Sequence, residues 1–168
     1  MQPMVNIALR AARRAGQIIV RAMDRVDTLS VEEKAKNDLV SDIDRHAEAV
    51  IIESIMRAYP DHAIVGEESG AANAGAEFTW IIDPLDGTSN YLKGIPHFCI
   101  SIGIMKGTAL EHGIIVDPLR NEEFFASRGT GAQLNGKRIR ITSTAKLDRS
   151  ILATGMPYSK AIPHINCY

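Results

Sequence analysis

An alternating run of side chains in the second half of the sequence most restricts what the chain can fold into. In residues 98–105 every second side chain is large and apolar, at Phe98, Ile100, Ile102 and Ile104. Because successive side chains of a strand point to opposite faces, this period predicts a strand with one buried face. Residues 106–108 and Asn135-Gly136 supply turns, and Asn-Gly is the strongest short hairpin signal. A largely antiparallel meander is therefore predicted.

Two amphipathic helices are predicted before this meander. The first runs from about Pro3 to Asp24 and the second from Ser41 to Tyr59-Pro60, with Asp44 in its first turn. The arginines on the outer face of the first helix are interpreted as a solvated surface rather than as a patch for an acidic partner. Together these patterns predict an α+β fold in which two N-terminal helices pack on one face of a largely antiparallel sheet.

Length and composition limit the class of protein. A chain of 168 residues fits one domain with a sizeable core, and 45% hydrophobic residues with a net charge of −1 do not indicate disorder or a polyanion-binding protein. We find no secretory or membrane-spanning run and no direct nucleic-acid signal. The two cysteines, Cys99 and Cys167, do not suggest a disulfide framework. The expected setting is therefore the cytoplasm, without membrane association.

Chemistry is concentrated in residues 80–91, where an apolar run ends in a charged turn. Trp80 to Ile82 predict a short buried strand, and Asp83 follows at its carboxyl end. Asp83 and Asp86 would point to opposite faces if the strand continued, so Pro84 is predicted to end the strand and let both carboxylates face one point. Thr88 or Ser89 is predicted to cap a short helix.

The oxygen ligands in this stretch are those that a magnesium site requires. Mg²⁺ prefers oxygen atoms and usually takes one or two carboxylates together with waters and substrate phosphate oxygens. Glu67, Asp83 and Asp86 could supply the carboxylates, and the amides near Gly87 would favour a phosphate. The alternative from these residues alone is a strand followed by an ordinary polar turn, because Asp, Pro and Gly are common turn residues.

Residues 80–93 resemble the first signature of the inositol monophosphatase family, and residues 66–69 resemble its other metal-ligand motif. Further likeness is found at residues 4–8, 11–13, 121–122, 131–136 and 151–155, so that it covers the chain to about Pro157. It is strongest toward the bacterial inositol-1-monophosphatases of the extragenic-suppressor type. The resemblance implies a Mg²⁺-dependent, lithium-sensitive phosphomonoesterase, most directly one that converts inositol monophosphate to inositol and phosphate.

The resemblance also assigns roles to individual residues. Glu67, Asp83, Asp86 and the Leu85 carbonyl would bind metal. Thr88 and Asp44 would orient the attacking water, with Glu67 as a further catalytic residue. Gly87, Thr88 and Asp86 would contact the substrate, and so would Lys34, although Lys36 lies close enough to be an alternative.

Two other readings of function stay open at this point. Families that act on fructose bisphosphate or adenosine 3′,5′-bisphosphate carry similar Asp-Pro-x-Asp-Gly-Thr motifs, so the motif indicates reaction type better than substrate. Some bacterial members are associated with transcription antitermination, which raises the hypothesis of a scaffold that acts through a protein partner. Family members are commonly homodimers, and a dimer is therefore expected for the complete protein.

The resemblance reaches only the amino-terminal part of the family. Residues 1–157 are predicted to form an N-terminal α+β domain, and residues 158–168 a divergent tail. Family members continue into a second α/β half that carries a Trp-Asp-x-x-Ala-Gly motif, which this sequence lacks. A natural truncation, a frameshift and a fragment are all compatible with the sequence. Because that half would supply another metal ligand, the chain alone is expected to be a weak or inactive catalyst.

Overall fold

A computed structural model describes residues 2–28, 31–35 and 38–153, with side chains described for 2–25 and 42–153. Its helices are α1 (Pro3–Ala22), α2 (Asp42–Ala58) and α3 (Thr88–Leu92), with short 3₁₀ turns at Met23–Thr28 and Leu147–Arg149. Its strands are β1 (Val31–Ala35), β2 (Asp38–Ser41), β3 (Ala63–Gly66), β4 (Gly70–Ala72), β5 (Phe78–Asp86), β6 (Cys99–Lys106), β7 (Ala109–Asp117), β8 (Glu122–Ser127), β9 (Gly131–Leu134) and β10 (Lys137–Arg138).

The described strands form one large sheet and one small hairpin. The large sheet has eight strands in the order β10-β9-β8-β7-β6-β5-β3-β4, and β1 pairs with β2 by itself. Every neighbouring pair is antiparallel except β3 with β5. The alternation in residues 98–105 becomes β6, at the middle of this sheet, and the Asn135-Gly136 turn joins β9 to β10. The predicted α+β fold with a largely antiparallel sheet is confirmed.

Helices α1 and α2 cover one face of the sheet. They pack against each other, α1 lies on β6 and β7, and α2 lies on β5. The largest side chains buried between these layers include Trp80, Ile19, Ile51, Ile82, Ile102 and Ile114. In α1 the inward positions include four buried alanines, Ala8, Ala11, Ala12 and Ala15, which let the helix approach closely. Within the described residues, no helix is both long and apolar enough to span a membrane.

The opposite face of the sheet carries apolar side chains that the described residues leave open. Val65, Ile81, Leu110 and Ile115 are each between 39% and 56% exposed. They alternate with the buried residues of the same strands, so they share the face turned away from the helices. Among residues 2–153, as far as they are described, the helices therefore cover one side of the sheet only.

Candidate active site

A bulge in β5 brings Asp83 and Asp86 to the same face of the sheet. Asp83 pairs with Ser101 and Asp86 pairs with Cys99, so three steps along β5 match two along β6. The extra residue cancels the alternation that would otherwise send the two carboxylates to opposite faces. The prediction that Pro84 ends the strand was wrong, because β5 continues through Pro84 to Asp86. A bulge, and not a turn, brings the two aspartates together.

Glu67 reaches the same face through the parallel pairing of β3 with β5. Gly66 pairs with Ile82, and the Glu67 backbone N–H donates to the Ile82 carbonyl at 3.1 Å. Neighbouring residues in a parallel register point the same way, so the next residues on each strand, Glu67 and Asp83, lie side by side. They face away from α1 and α2 because Ile82, one position earlier, is buried beneath the helices.

The electrostatics of Asp83 show how close these acids are. Burial raises the pKa of Asp83 to about 7, with further increases from the negative charge of Glu67, a hydrogen bond to the Glu67 carboxyl, and the charge of Asp86. Two carboxyl groups can share a hydrogen bond only when one of them is protonated. Near neutral pH a large fraction of Asp83 therefore carries a proton, which a bound cation would displace.

The donor set fits Mg²⁺ as a two-carboxylate site. Among the described residues no group of three or more His, Cys, Asp or Glu side chains is arranged to hold a metal ion, and metal binding by Asp86 stays a prediction. Mg²⁺ does not need such a cluster, because one or two carboxylates with water and phosphate oxygens are its usual ligands. The pair Glu67 and Asp83 meets that requirement, and Asp86 contributes negative charge beside it.

A second group of residues joins the end of β5 to the start of α2. The Thr88 hydroxyl lies 2.8 Å from Asp44 Oδ1 and 3.0 Å from the Leu85 carbonyl oxygen, and it can donate to either. Asp44 is buried at 2% exposure, in the first turn of α2. The structure thus brings together Thr88, Asp44 and Leu85, which the family resemblance had assigned to the site.

The start of α3 differs from the sequence prediction. Gly87, with φ of +100°, occupies the N-cap position, and no side chain caps the helix. Thr88 was predicted as a cap, but its hydroxyl bonds to Asp44 and Leu85 instead. A side chain at Gly87 would be strained at that φ and would lie 3.0 Å from the His97 carbonyl oxygen. The backbone at the start of α3 therefore requires glycine at position 87.

Cys99 lies beside Asp86, at the start of β6. It is half-buried, and its Sγ lies 3.8 Å from Asp86 Oδ2, to which it donates a weak hydrogen bond. Burial raises the pKa of Cys99 to about 12, and Asp86 and Asp83 add to the rise. The thiol therefore stays protonated near neutral pH, which disfavours a role as a nucleophile.

Sequence reasoning and structure differ in which residues they cover. The backbone of Lys34 lies in β1, but its side chain is outside the described residues, and Lys36 is outside them altogether. Substrate contact by Lys34 thus stays a prediction. Conversely, the sequence analysis did not identify Glu48, a buried carboxylate of α2 that contacts the turn after Gly66. Its only sequence signal is a charged residue next to the inward-facing Ala47 of an amphipathic helix.

Comparison with known proteins defines the class. The sequence model of the Inositol monophosphatase family matches residues 1–166, and the chain belongs to this family. The match includes most of the segment 158–168, while the boundary predicted at residue 157 stays a prediction.

Among individual relatives, the chain is 50% identical over 161 residues to the Nus factor SuhB of Pseudomonas aeruginosa, covering 94% of this chain and 59% of that protein. The solved extragenic suppressor protein SuhB of Bartonella henselae aligns with a TM-score of 0.83 at 36% identity, over 85% of this chain and 56% of the other. The IMPase of Thermotoga maritima aligns with a TM-score of 0.79 at 33% identity, over 86% and 56%. The chain therefore spans about 59% of the length of its curated relative.

Proposed function

We propose that this chain carries the metal- and water-handling part of a Mg²⁺-dependent phosphomonoesterase whose substrate is inositol monophosphate. The observation that supports this most is the strand register that places Glu67 beside Asp83, next to a motif that also holds the Thr88–Asp44 hydrogen bond. Family membership supports the reaction class. The substrate and the activity of the whole protein are proposals, because the chain covers only part of its relatives.

The Thr88–Asp44 contact gives the water its orientation. Asp44 is an acceptor only, so the Thr88 hydroxyl donates its proton to that carboxylate or to the Leu85 carbonyl. An oxygen that donates in one direction keeps its lone pairs to accept in another. Thr88 accepts a hydrogen bond from the attacking water, which turns a lone pair of the water toward phosphorus. Holding the nucleophile in this way removes part of the entropic cost of the reaction.

The carboxylates of Glu67 and Asp83 would hold the cation, and Asp86 adds charge beside them. Mg²⁺ bound there would neutralise the phosphoryl oxygens and lower the pKa of water. When the cation is absent, the raised pKa of Asp83 reduces the repulsion between the adjacent carboxyl groups, because Asp83 takes up a proton near neutral pH. Gly87 permits the tight backbone on which Thr88 and the amides that would meet the phosphate depend.

Phosphate release from a panel of substrates tests this proposal. A version extended by a relative's carboxyl-terminal part should hydrolyse inositol monophosphate faster than fructose 1,6-bisphosphate or adenosine 3′,5′-bisphosphate. Its activity should require Mg²⁺ and be inhibited by lithium. A clear preference for either bisphosphate would overturn the substrate, and activity unchanged by Asp83→Asn would overturn the site.

A second candidate function is supported by the similarity to the Pseudomonas aeruginosa relative, which is a Nus factor. Under this reading the chain acts through a partner in a transcription antitermination complex, and the carboxylates have no catalytic task. Complementation of a strain that lacks the protein separates the two functions. Growth restored by Asp83→Asn without phosphatase activity would favour the partner function. The homodimer and the cytoplasmic location stay predictions of the complete protein.

A further inference from the structure

A buried carboxylate beneath the turn after β3 is not explained by the chemistry above. Glu48, in the second turn of α2, is 2% exposed. Its Oε2 accepts the backbone N–H of Glu68 at 2.9 Å, and its Oε1 accepts that of Ser69 at 2.8 Å. Both oxygens are thus engaged by consecutive amides, so the backbone orients the Glu48 carboxylate.

The chain makes room for this carboxylate at Gly66. A Cβ at Gly66 would lie 2.6 Å from both Cδ and Oε2 of Glu48 and 2.7 Å from Oε1. The φ of Gly66 is not positive, so space and not backbone conformation requires glycine here. The carboxyl group cannot move away without breaking the hydrogen bonds that it accepts from the Glu68 and Ser69 amides. Because Gly66 on β3 has no side chain, the space beside it is free for the Glu48 carboxylate of α2.

The two amides that Glu48 holds follow Glu67 directly. The N–H of Glu67 donates to the Ile82 carbonyl, which ties the residue to β5 on its amino side. On its carboxyl side, Glu48 accepts the N–H of the next peptide and of the one after it. The main chain of Glu67 is thereby fixed at both ends. A hydrogen bond to a charged group is about twice as strong as a neutral one, and this helps to offset the cost of burying the charge.

We propose that Glu48 is a positioning residue for the carboxylate pair: it fixes the peptide after Glu67, so that the Glu67 side chain leaves the end of β3 toward Asp83. The inference rests on the proposed function, since it takes Glu67 as a ligand. Outer residues that orient metal ligands typically contribute about 10- to 100-fold to metal affinity. Glu48 acts on the cation only through the direction of Glu67.

Metal binding by the 168-residue chain tests the proposal without relying on turnover. The probe is Mn²⁺, and the free ion is measured by electron paramagnetic resonance at a temperature where circular dichroism shows the chain folded. Glu48→Gln keeps the shape but offers one acceptor where two are needed, and should raise the Mn²⁺ Kd roughly tenfold or more. Glu48→Asp, which keeps the charge but is shorter, should fall between this variant and the wild type.

Two further variants separate positioning from general stability. Gly66→Ala leaves Glu48 unchanged, but its Cβ displaces the Glu48 carboxyl group from the Glu68 and Ser69 amides. It should therefore raise the Mn²⁺ Kd, as Glu48→Gln does. Glu53→Gln is the matched control, because Glu53 lies on the same helix but is exposed and paired with Arg57. Its Mn²⁺ Kd should not change. Folded Glu48→Gln or Gly66→Ala protein with a wild-type Kd would overturn the proposal, even if its melting temperature is lower. If one of them does not fold, Glu48→Asp decides by the same criterion.

Phosphate release by the extended version, measured in parallel, distinguishes this inference from the proposed function. If Mn²⁺ binding depends on Glu48 but no phosphomonoester is hydrolysed, the proposed function fails and the positioning role stands. If the wild-type chain binds no Mn²⁺, the positioning role is overturned.

Discussion

Replacing Asp83 by Asn should stabilise the metal-free protein at neutral and alkaline pH. Burial first, and then Glu67 and Asp86, raise the pKa of Asp83 to about 7 in the folded state. The folded chain therefore holds this proton more strongly than the unfolded chain does. The stabilisation is fully present below the pKa of an unfolded aspartate, near 4, and is lost as the pH rises through about 7. Asn cannot ionise, so the variant should not lose stability over this range.

The size of the effect follows from the pKa. One pKa unit corresponds to about 1.4 kcal/mol, so the rise to about 7 amounts to roughly 4 kcal/mol for a fully shielded group. Asp83 is only half-buried, and water screens part of this energy. We therefore expect about 2 kcal/mol, a large share of the 5–15 kcal/mol that typically stabilises a domain.

Urea unfolding in the presence of a chelator measures this directly. Between about pH 4 and pH 8 the free energy of unfolding of the wild type should fall by about 2 kcal/mol more than that of Asp83→Asn. The exposed Asp148, changed to Asn, serves as the control and should follow the wild type. Parallel pH curves for Asp83→Asn and wild type would refute the reasoning, as would a variant that is less stable than wild type at pH 8.

The remaining predictions concern turnover by the extended version. Thr88→Val should lower phosphate release roughly 100-fold or more, because it removes the hydroxyl that orients the water. It should leave Mn²⁺ binding unchanged, and Thr88→Ser should retain most activity. Asp86→Asn should reduce phosphate release at saturating Mg²⁺ far more than it affects folding, and metal-free melting should not fall; wild-type turnover would remove Asp86 from the site. The 168-residue chain itself should release phosphate at least about tenfold more slowly than the extended version, which corresponds to about 1.4 kcal/mol of activation free energy. Equal rates from a monodisperse sample would contradict the expected dependence on a second half.

The elements that local periodicity determines were predicted correctly from the sequence. The alternation at residues 98–105 became β6, and the helical spacing near the amino terminus became α1, because in both cases one face must be buried. The parallel pairing of β3 with β5 could not be predicted, since a strand's own side chains do not encode the direction of its neighbour. That pairing is what brings Glu67 beside Asp83.

Two errors in the site have the same physical origin. Pro84 has no N–H to donate, which correctly excludes it from a regular ladder, but a bulge tolerates such a residue inside the strand. Threonine is a common helix N-cap residue, yet the Thr88 hydroxyl forms a hydrogen bond with Asp44 on another helix. The role of Glu48 depends in the same way on amides about twenty residues away. These roles depend on contacts with residues that are distant in the sequence, and a local sequence pattern does not reveal such contacts.

The bulge between Asp83 and Asp86 makes this site depend on a count of residues as well as on their identity. Asp83 and Asp86 are three residues apart, so if β5 paired with β6 without the bulge, strict alternation would turn Asp86 under the helices, toward the buried side of Ile82 and Ile102. Every carboxylate would still be present in the sequence. A family member could thus keep all the acidic residues of the motif and still lose the site if its β5 and β6 paired in a regular ladder without the bulge.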